Sequence, residues 1–433
     1  MTSAARRWKP SSKANQTNKG DHSHSCEYPI LTAHRPGSVS GRGGFLLHSM
    51  IFRLVLLLSI CALALTACGQ AVPPVDIGVQ MTQAVQTAVG SIVETQAALT
   101  PPATSTPVAT PTVLRTPPAL PSVFTSTILN PADSPHTYIQ DSCQYLHDKW
   151  TATNSPPGTI VLVVMFHSIE KGDEAVNDPK NISGGDFKRL MNALHDMGFQ
   201  AINTAQLADF LDNNAKIPAR SVVLIQDDRH AAANFIDWFR PYWDQWQWPV
   251  VNAWINKFGG SDPVLAENVS LEQEGWVDHQ AHGVEHNTPM SDSSTDAYLT
   301  GELQGSITNM QQYFNKTPIA IIWPGGGFGL RPIQFARTLG YRLGFTVNPR
   351  GPIMYNWVPL ADAPDASRPF AIPEGPANDP RMALPRYWPQ QVLGSLDSIR
   401  VVGEQAAAYA GQNKTTELEY YDIVCGPTLG PIP

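Results

Sequence analysis

Two rhythms of apolar and polar residues alternate along the chain after position 138. Short apolar runs such as "GTIVLVVMFHSI" and "SVVLIQDDRH" are rich in β-branched residues and bounded by Gly, Ser or charged residues, which predicts buried strands. Segments of helical period lie between them. In "DFKRLMNALHDMG", Phe187, Leu190, Met191, Leu194 and Met197 share one face, and Gly198 marks the end. The series continues with a short strand and helix in "AINTAQLADFL", a helix around "AAANFIDWFRPYW", and strands in "PVVNAWI" and "GWVDHQAH". "DAYLTGELQGSITNMQQYF" predicts a long helix, "PIAIIWPGGG" a strand running into a Gly-rich loop, "PIQFARTLG" a helix and "YRLGFTV" a strand. Strands alternating with helices predict an α/β domain over 138–433, a (β/α) barrel around a parallel sheet. In such barrels the chemistry sits at the C-terminal ends of the strands. His167, Asp227, Asp228 and the loop at Pro324 all fall there.

The pattern upstream is different. "MIFRLVLLLSICALALTACGQ" carries Arg53, an apolar run from Leu54 to Leu65 and then Thr-Ala-Cys. The run is shorter than the ~20 residues of a membrane span, so it reads as an export signal, with an uncleaved signal anchor as the alternative. Residues 1–49 are polar and aperiodic, and Met50 is the expected start of translation. Residues 50–68 are the signal. Residues 69–137 form a linker, Pro/Thr-rich between Thr100 and Ser122, with Met81, Val85, Ala88, Ile92 and Leu99 near the spacing of a short helix.

Composition narrows the partners. The net charge of −8, without a basic run, argues against nucleic acid. The five cysteines, at 26, 61, 68, 143 and 425, form no CxxC. Only Cys68, Cys143 and Cys425 follow the expected cleavage, and the last two flank the domain, so a Cys143–Cys425 disulfide is expected in an exported protein. All 12 histidines lie at or before His286.

"VVLIQDDRH" raises the chemical question. Two adjacent carboxylates at the end of an apolar strand are costly to bury unless a cation or a proton compensates them. Asp228 also fits a helix N-cap before the segment that begins near His230. In "HGVEH", His282 and His286 are four residues apart, close enough to share one cation if the segment turns helically, and equally able to have separate partners.

Taken in order, these motifs resemble the polysaccharide deacetylases of carbohydrate esterase family 4, nearest to the branch acting on poly-β-1,6-N-acetylglucosamine. The resemblance covers roughly Thr159 to Trp388. "VLVVMFHSI" is similar to that branch's opening strand, "VVLIQDDRH" to the family's "VLLTFDDGY", "AHGVEH" to "SHTxxH", "WPGGG" to "WPYG" and "MALPRYW" to "LPR". The resemblance implies a distorted barrel and metal-dependent hydrolysis of N-acetyl groups at the cell envelope. It implies Asp227 as general base. It implies Asp228, His282 and His286 as ligands of a divalent ion, Zn²⁺ first and Ni²⁺, Co²⁺ or Fe²⁺ as alternatives. His167, on the first strand, takes the place of a late-motif histidine as general acid. "LTAC" resembles a lipobox, implying a lipid on Cys68 and membrane anchorage.

Three positions depart from the family's pattern: Arg229 where it has Gly, Gln226 where it has Phe, and no Arg in "IIWPGGG" to pair with the base Asp. Among the aromatics, "DWFRPYWDQWQWPVVNAWINKF" reads mainly as core. Trp323, Pro324 and Trp388, in loops, are expected at a substrate cleft. Arg386 fits either substrate binding or a salt bridge. The substrate expected is an N-acetylglucosamine polysaccharide. A peptidoglycan deacetylase and a catalytically weak glycan-binding surface lipoprotein, which Arg229 would favour, are the alternatives.

Overall fold

A computed structural model describes residues 115–433 apart from 175, 179, 258–260, 287, 365 and 367–371. The export signal, Cys68, and the linker as far as residue 114 lie outside the described residues.

Seven parallel strands form the core sheet: β2 (Ile160–Phe166), β5 (Gln200–Ala201), β6 (Arg220–Asp227), β7 (Val250–Trp254), β8 (Val277–Ala281), β9 (Ala320–Ile322) and β10 (Leu343–Phe345). The order is β10-β9-β8-β7-β6-β2, with β5 beside the first half of β6. The sheet curls, and an irregular strip joins its two edges. Leu384 bridges Phe345 on β10, and Tyr387 bridges Val164 on β2, both in parallel sense. The Leu384 N–H donates to Gly344, and the Tyr387 N–H to Val163. This is a distorted (β/α) barrel, with Arg386 carried on the closing strip.

Alternation along the strands decides which residues enter the barrel, because successive side chains point to opposite faces. On β2, Ile160, Leu162, Val164 and Phe166 pack outward under the helices, while Val161 and Val163 pack inward. On β6, Val222 and Leu224 face outward and Val223 and Ile225 inward. Continuing the inward set by two gives Asp227. On β2 the same alternation, carried through Met165, gives His167. Phe166 pairs with Gln226 in register, so the next residues, His167 and Asp227, stand side by side at the barrel mouth.

The outer layer follows the predicted periodicity. The helix α1 (Gly184–Asp196) buries Phe187, Leu190, Met191 and Leu194, and its N-cap Ser183 accepts from the Asp186 N–H. The expected helix over Ala231–Trp243 is instead two, α2 (Ala232–Trp238) and α3 (Arg240–Trp246), with Pro241 in the first turn of the second. The long helix predicted from Asp296 is broken by a π-turn at Thr300–Gln304 before continuing as α4 (Gly305–Phe314). Sequence pattern gave no sign of α5 (Pro389–Tyr420), which packs on β2 and α1. Its buried face includes Gly403, Ala406 and Ala410 beside larger residues, so the apolar stripe is faint.

The folded body begins before position 138. Strand β1 (Asp133–His136) pairs antiparallel with β11 (Val358–Ala361), the Phe124 ring lies 6.0 Å from that of Trp357, and Arg115 pairs with Asp422. The linker composition misplaced this boundary because Pro and Thr suit an extended strip laid on a domain as well as a free tether. Cys143 and Cys425 are disulfide-bonded, with Cα atoms 5.4 Å apart.

Candidate active site

The two aspartates that end β6 are neighbours in sequence and point to different partners. Asp227 is buried, and its Oδ1 accepts from Arg386 Nη1 at 2.6 Å. Arg386 is itself buried, and its Nε donates to the Thr346 carbonyl at 2.7 Å. On the other side, Asp227 Oδ2 lies 3.5 Å from His167 Nε2. Burial alone would raise the Asp227 pKa. The Arg386 guanidinium, with His282 and His167, outweighs it and holds the carboxyl below its usual range. The arginine missing from "IIWPGGG" is thus supplied by "LPR".

Asp228 would point away from the barrel if the strand continued. Its φ of 69° ends the strand in the left-handed region, which Asp tolerates better than most side chains. Its Oδ1 then lies 3.8 Å from His282 Nε2 and 4.0 Å from His286 Nε2. One donor atom from each of the three residues falls within 4.8 Å of the other two. The histidines do not converge through a helical turn as the spacing suggested. Gly283 (φ 76°) and His286 (φ 51°) bend the chain back instead, bringing the two rings to 4.3 Å between centroids. A Cβ at Gly283 would meet Glu302 and Pro324, so only glycine fits there.

The donor set suits a divalent ion. His282 Nδ1 donates to the Ile322 carbonyl at 2.7 Å, which fixes the tautomer and leaves the Nε2 lone pair facing Asp228. Burial lowers the His282 pKa to about 4, and His286 pushes the same way against the pull of Asp227, so the ring is neutral at physiological pH. One carboxylate and two imidazoles match Zn²⁺ or another borderline ion and leave coordination positions open.

His167 lies at the mouth with its side chain 22% exposed and its ring stacked on Trp388 at 5.1 Å. Its Nδ1 is buried and finds no hydrogen-bond partner among the described residues. Trp388, half-buried, is the expected cleft residue that does reach this mouth. Trp323 does not. It is fully buried, with Nε1 donating to the Met382 carbonyl at 2.8 Å. It follows β9 directly, its N–H still bonding the Phe345 carbonyl on β10, and its ring packs with Ile321 under the outer helices. Pro324 is buried too, packed beneath Gly283. Arg386 is the salt-bridge partner of Asp227, not a cleft residue.

Arg229 leaves the backbone undistorted: it is not among the residues of positive φ. Its guanidinium lies 4.6 Å above the Trp254 ring and hydrogen-bonds the Lys257 carbonyl and Asp262. The strain that glycine would relieve sits one residue earlier, on Asp228. Sequence reading missed Glu302, whose buried carboxylate accepts from the backbone of the His282–His286 loop. Nothing in "LTGELQG" signals that role, because the contact depends on the π-turn.

No protein-family profile and no curated protein matches the chain. Solved structures do. A Streptococcus pyogenes deacetylase, PplD, in complex with acetate is similar at 19% identity, covering 56% of this chain and 98% of that one, with a TM-score of 0.42. A polysaccharide deacetylase from Bacillus cereus, BC0361, is similar at 18% identity, covering 55% and 69%, with a TM-score of 0.40. A de-N-acetylase from Aggregatibacter actinomycetemcomitans is similar at 15% identity, covering 55% and 99%, with a TM-score of 0.42.

Proposed function

We propose that the chain is a metal-dependent N-deacetylase of N-acetylglucosamine-containing polysaccharide, held at the cell envelope by a lipid on Cys68. One observation carries the chemistry: Asp228, His282 and His286 converge within 4.8 Å beside a buried Asp227 that is paired with Arg386 and His167. A divalent ion there would supply Lewis-acid polarisation of the acetyl carbonyl and of water. Asp227, kept ionised by Arg386, accepts a proton from the attacking water. His167, facing the same mouth, donates one to the departing amine. Trp388 holds the His167 ring in place and offers an aromatic surface at the rim of the site. The export pattern upstream of Cys68 and "LTAC" support the envelope address.

The test is acetate release from N-acetylchitooligosaccharide by purified protein, with and without a chelator. Turnover that chelation abolishes and Zn²⁺ restores is the expected result. No acetate above a protein-free control, with one Zn²⁺ bound per chain, would leave a glycan-binding role in its place. Loss of metabolic lipid labelling in Cys68→Ala tests the anchor.

A further inference from the structure

The loop that presents His282 and His286 has no side chain of its own to satisfy its backbone. Gly283, at the bend, carries no side chain, and the N–H groups of Val284, Glu285 and His286 point back into the protein. All three meet Glu302. Val284 N–H donates to Oε2 at 2.7 Å, Glu285 N–H to Oε1 at 3.1 Å and His286 N–H to Oε2 at 3.5 Å. Glu302 is 2% exposed, and among the described residues no Lys, Arg or His pairs with it. Burying a carboxylate against backbone amides alone is expensive, and such bonds to a charged acceptor are correspondingly strong and directional.

The surrounding helix is shaped for this contact. Glu302 lies within the π-turn Thr300–Gln304, a single wide turn between two α-helical stretches. Such turns re-aim side chains at a cost in helix regularity and recur at functional sites. Gly305, the first residue of α4, lets Val284 approach: a Cβ there would lie 3.1 Å from Val284 Cγ2. The turn, the carboxylate and two glycines thus fit one loop.

We propose that Glu302 is a positioning residue for the ion site, setting His286 relative to His282 by clamping the intervening amides. The proposal rests on the metal-binding reading above. In Glu302→Gln, one acceptor oxygen becomes an NH₂ that faces amide donors, so the clamp opens while the shape is kept. Zn²⁺ affinity, measured on the full chain by competition with a chromophoric chelator, should fall about 10–100-fold, the usual scale for losing an outer partner of a ligand. Glu302→Asp, with the charge kept and the arm one methylene shorter, should also lose affinity, which covers a Gln variant that does not fold. Hydrogen exchange on the metal-free wild type should show Val284 and Glu285 amides protected, and Glu302→Gln should release them.

Wild-type Zn²⁺ affinity in both variants would overturn the clamp while leaving the ion site standing. Unprotected Val284 and Glu285 amides in the wild type would overturn it whether or not metal binds. A wild type that binds no Zn²⁺ but shows protection lost in Glu302→Gln would overturn the metal reading, and the ion-site role of Glu302 with it, while leaving the contact between Glu302 and the loop standing.

Discussion

The barrel has buried or half-buried carboxylates and histidines at both ends, and they are arranged on opposite terms. Near the N-terminal end of β8, Asp278 accepts from Thr204, Gln280 and Lys316. Glu272 accepts from Lys316 and contacts the buried His279 through its Nδ1, while His279 Nε2 contacts Asn268. Both nitrogens of that histidine are occupied, and Lys316 pairs with both carboxylates. At the mouth, His282 and His286 each turn Nε2 toward Asp228 at 3.8 Å or more, and His167 Nδ1 has no partner among the described residues. A closed network holds a fold together, whereas a site that binds must keep donors in reserve. That contrast singles out one cluster of buried charge as chemical.

The sharpest way to break the comparison is to remove a ligand. His282→Ala or His286→Ala should abolish stoichiometric Zn²⁺ binding and acetate release with the fold retained, as read by metal analysis and circular dichroism. Unchanged metal content in both would put the mouth on the same footing as the closed end.

Lys316→Met should do the reverse. It leaves Asp278 and Glu272 without their cation, and stability to denaturant should drop by about 2 kcal/mol, between the scales of exposed and buried pairs because all three side chains are half-buried. Zn²⁺ stoichiometry should not change. The pH dependence carries a sign. Although burial alone would raise them, Lys316 and the hydrogen bonds leave Asp278 and Glu272 depressed. Their contribution is therefore complete above the unfolded carboxylate range near pH 4, and it is lost as pH falls through the lower folded values. The Lys316 pKa is raised by the same carboxylates, against burial, so its own contribution holds below about pH 10 and fades above. Lys316→Met should flatten the acid side of the stability curve.

His167→Ala should reduce deacetylation by roughly 10²-fold, the scale of lost general-acid help, with Zn²⁺ affinity nearly unchanged. Loss of the metal would make His167 a ligand; wild-type turnover would move the acid elsewhere. Arg229→Gly should have the smallest effect, about 1 kcal/mol of stability from the lost contact with Trp254 and Asp262, and little change in turnover per folded molecule. A large gain in turnover would show that Arg229 throttles the site after all.

Much of this was legible in the chain alone. Strand and helix periods marked the barrel, and the alternation of β2 and β6 already sends His167 and Asp227 to one mouth, because a strand has no freedom about which side its next residue faces. The Asp228, His282 and His286 set was legible as a motif. How it assembles was not: a left-handed Asp228 and a bend at Gly283 do the work that helical spacing suggested. Loop residues deceived most. Trp323 and Pro324 looked like cleft residues and are buried, since position in a loop says nothing about which layer the loop enters. Arg386 reaches Asp227 only because an irregular strip closes the barrel, and Glu302 reaches the histidine loop only through a π-turn. Local sequence determines backbone period and side-chain chemistry. Contacts between Asp227 and Arg386, 159 residues apart, depend on barrel closure, which only the tertiary structure decides.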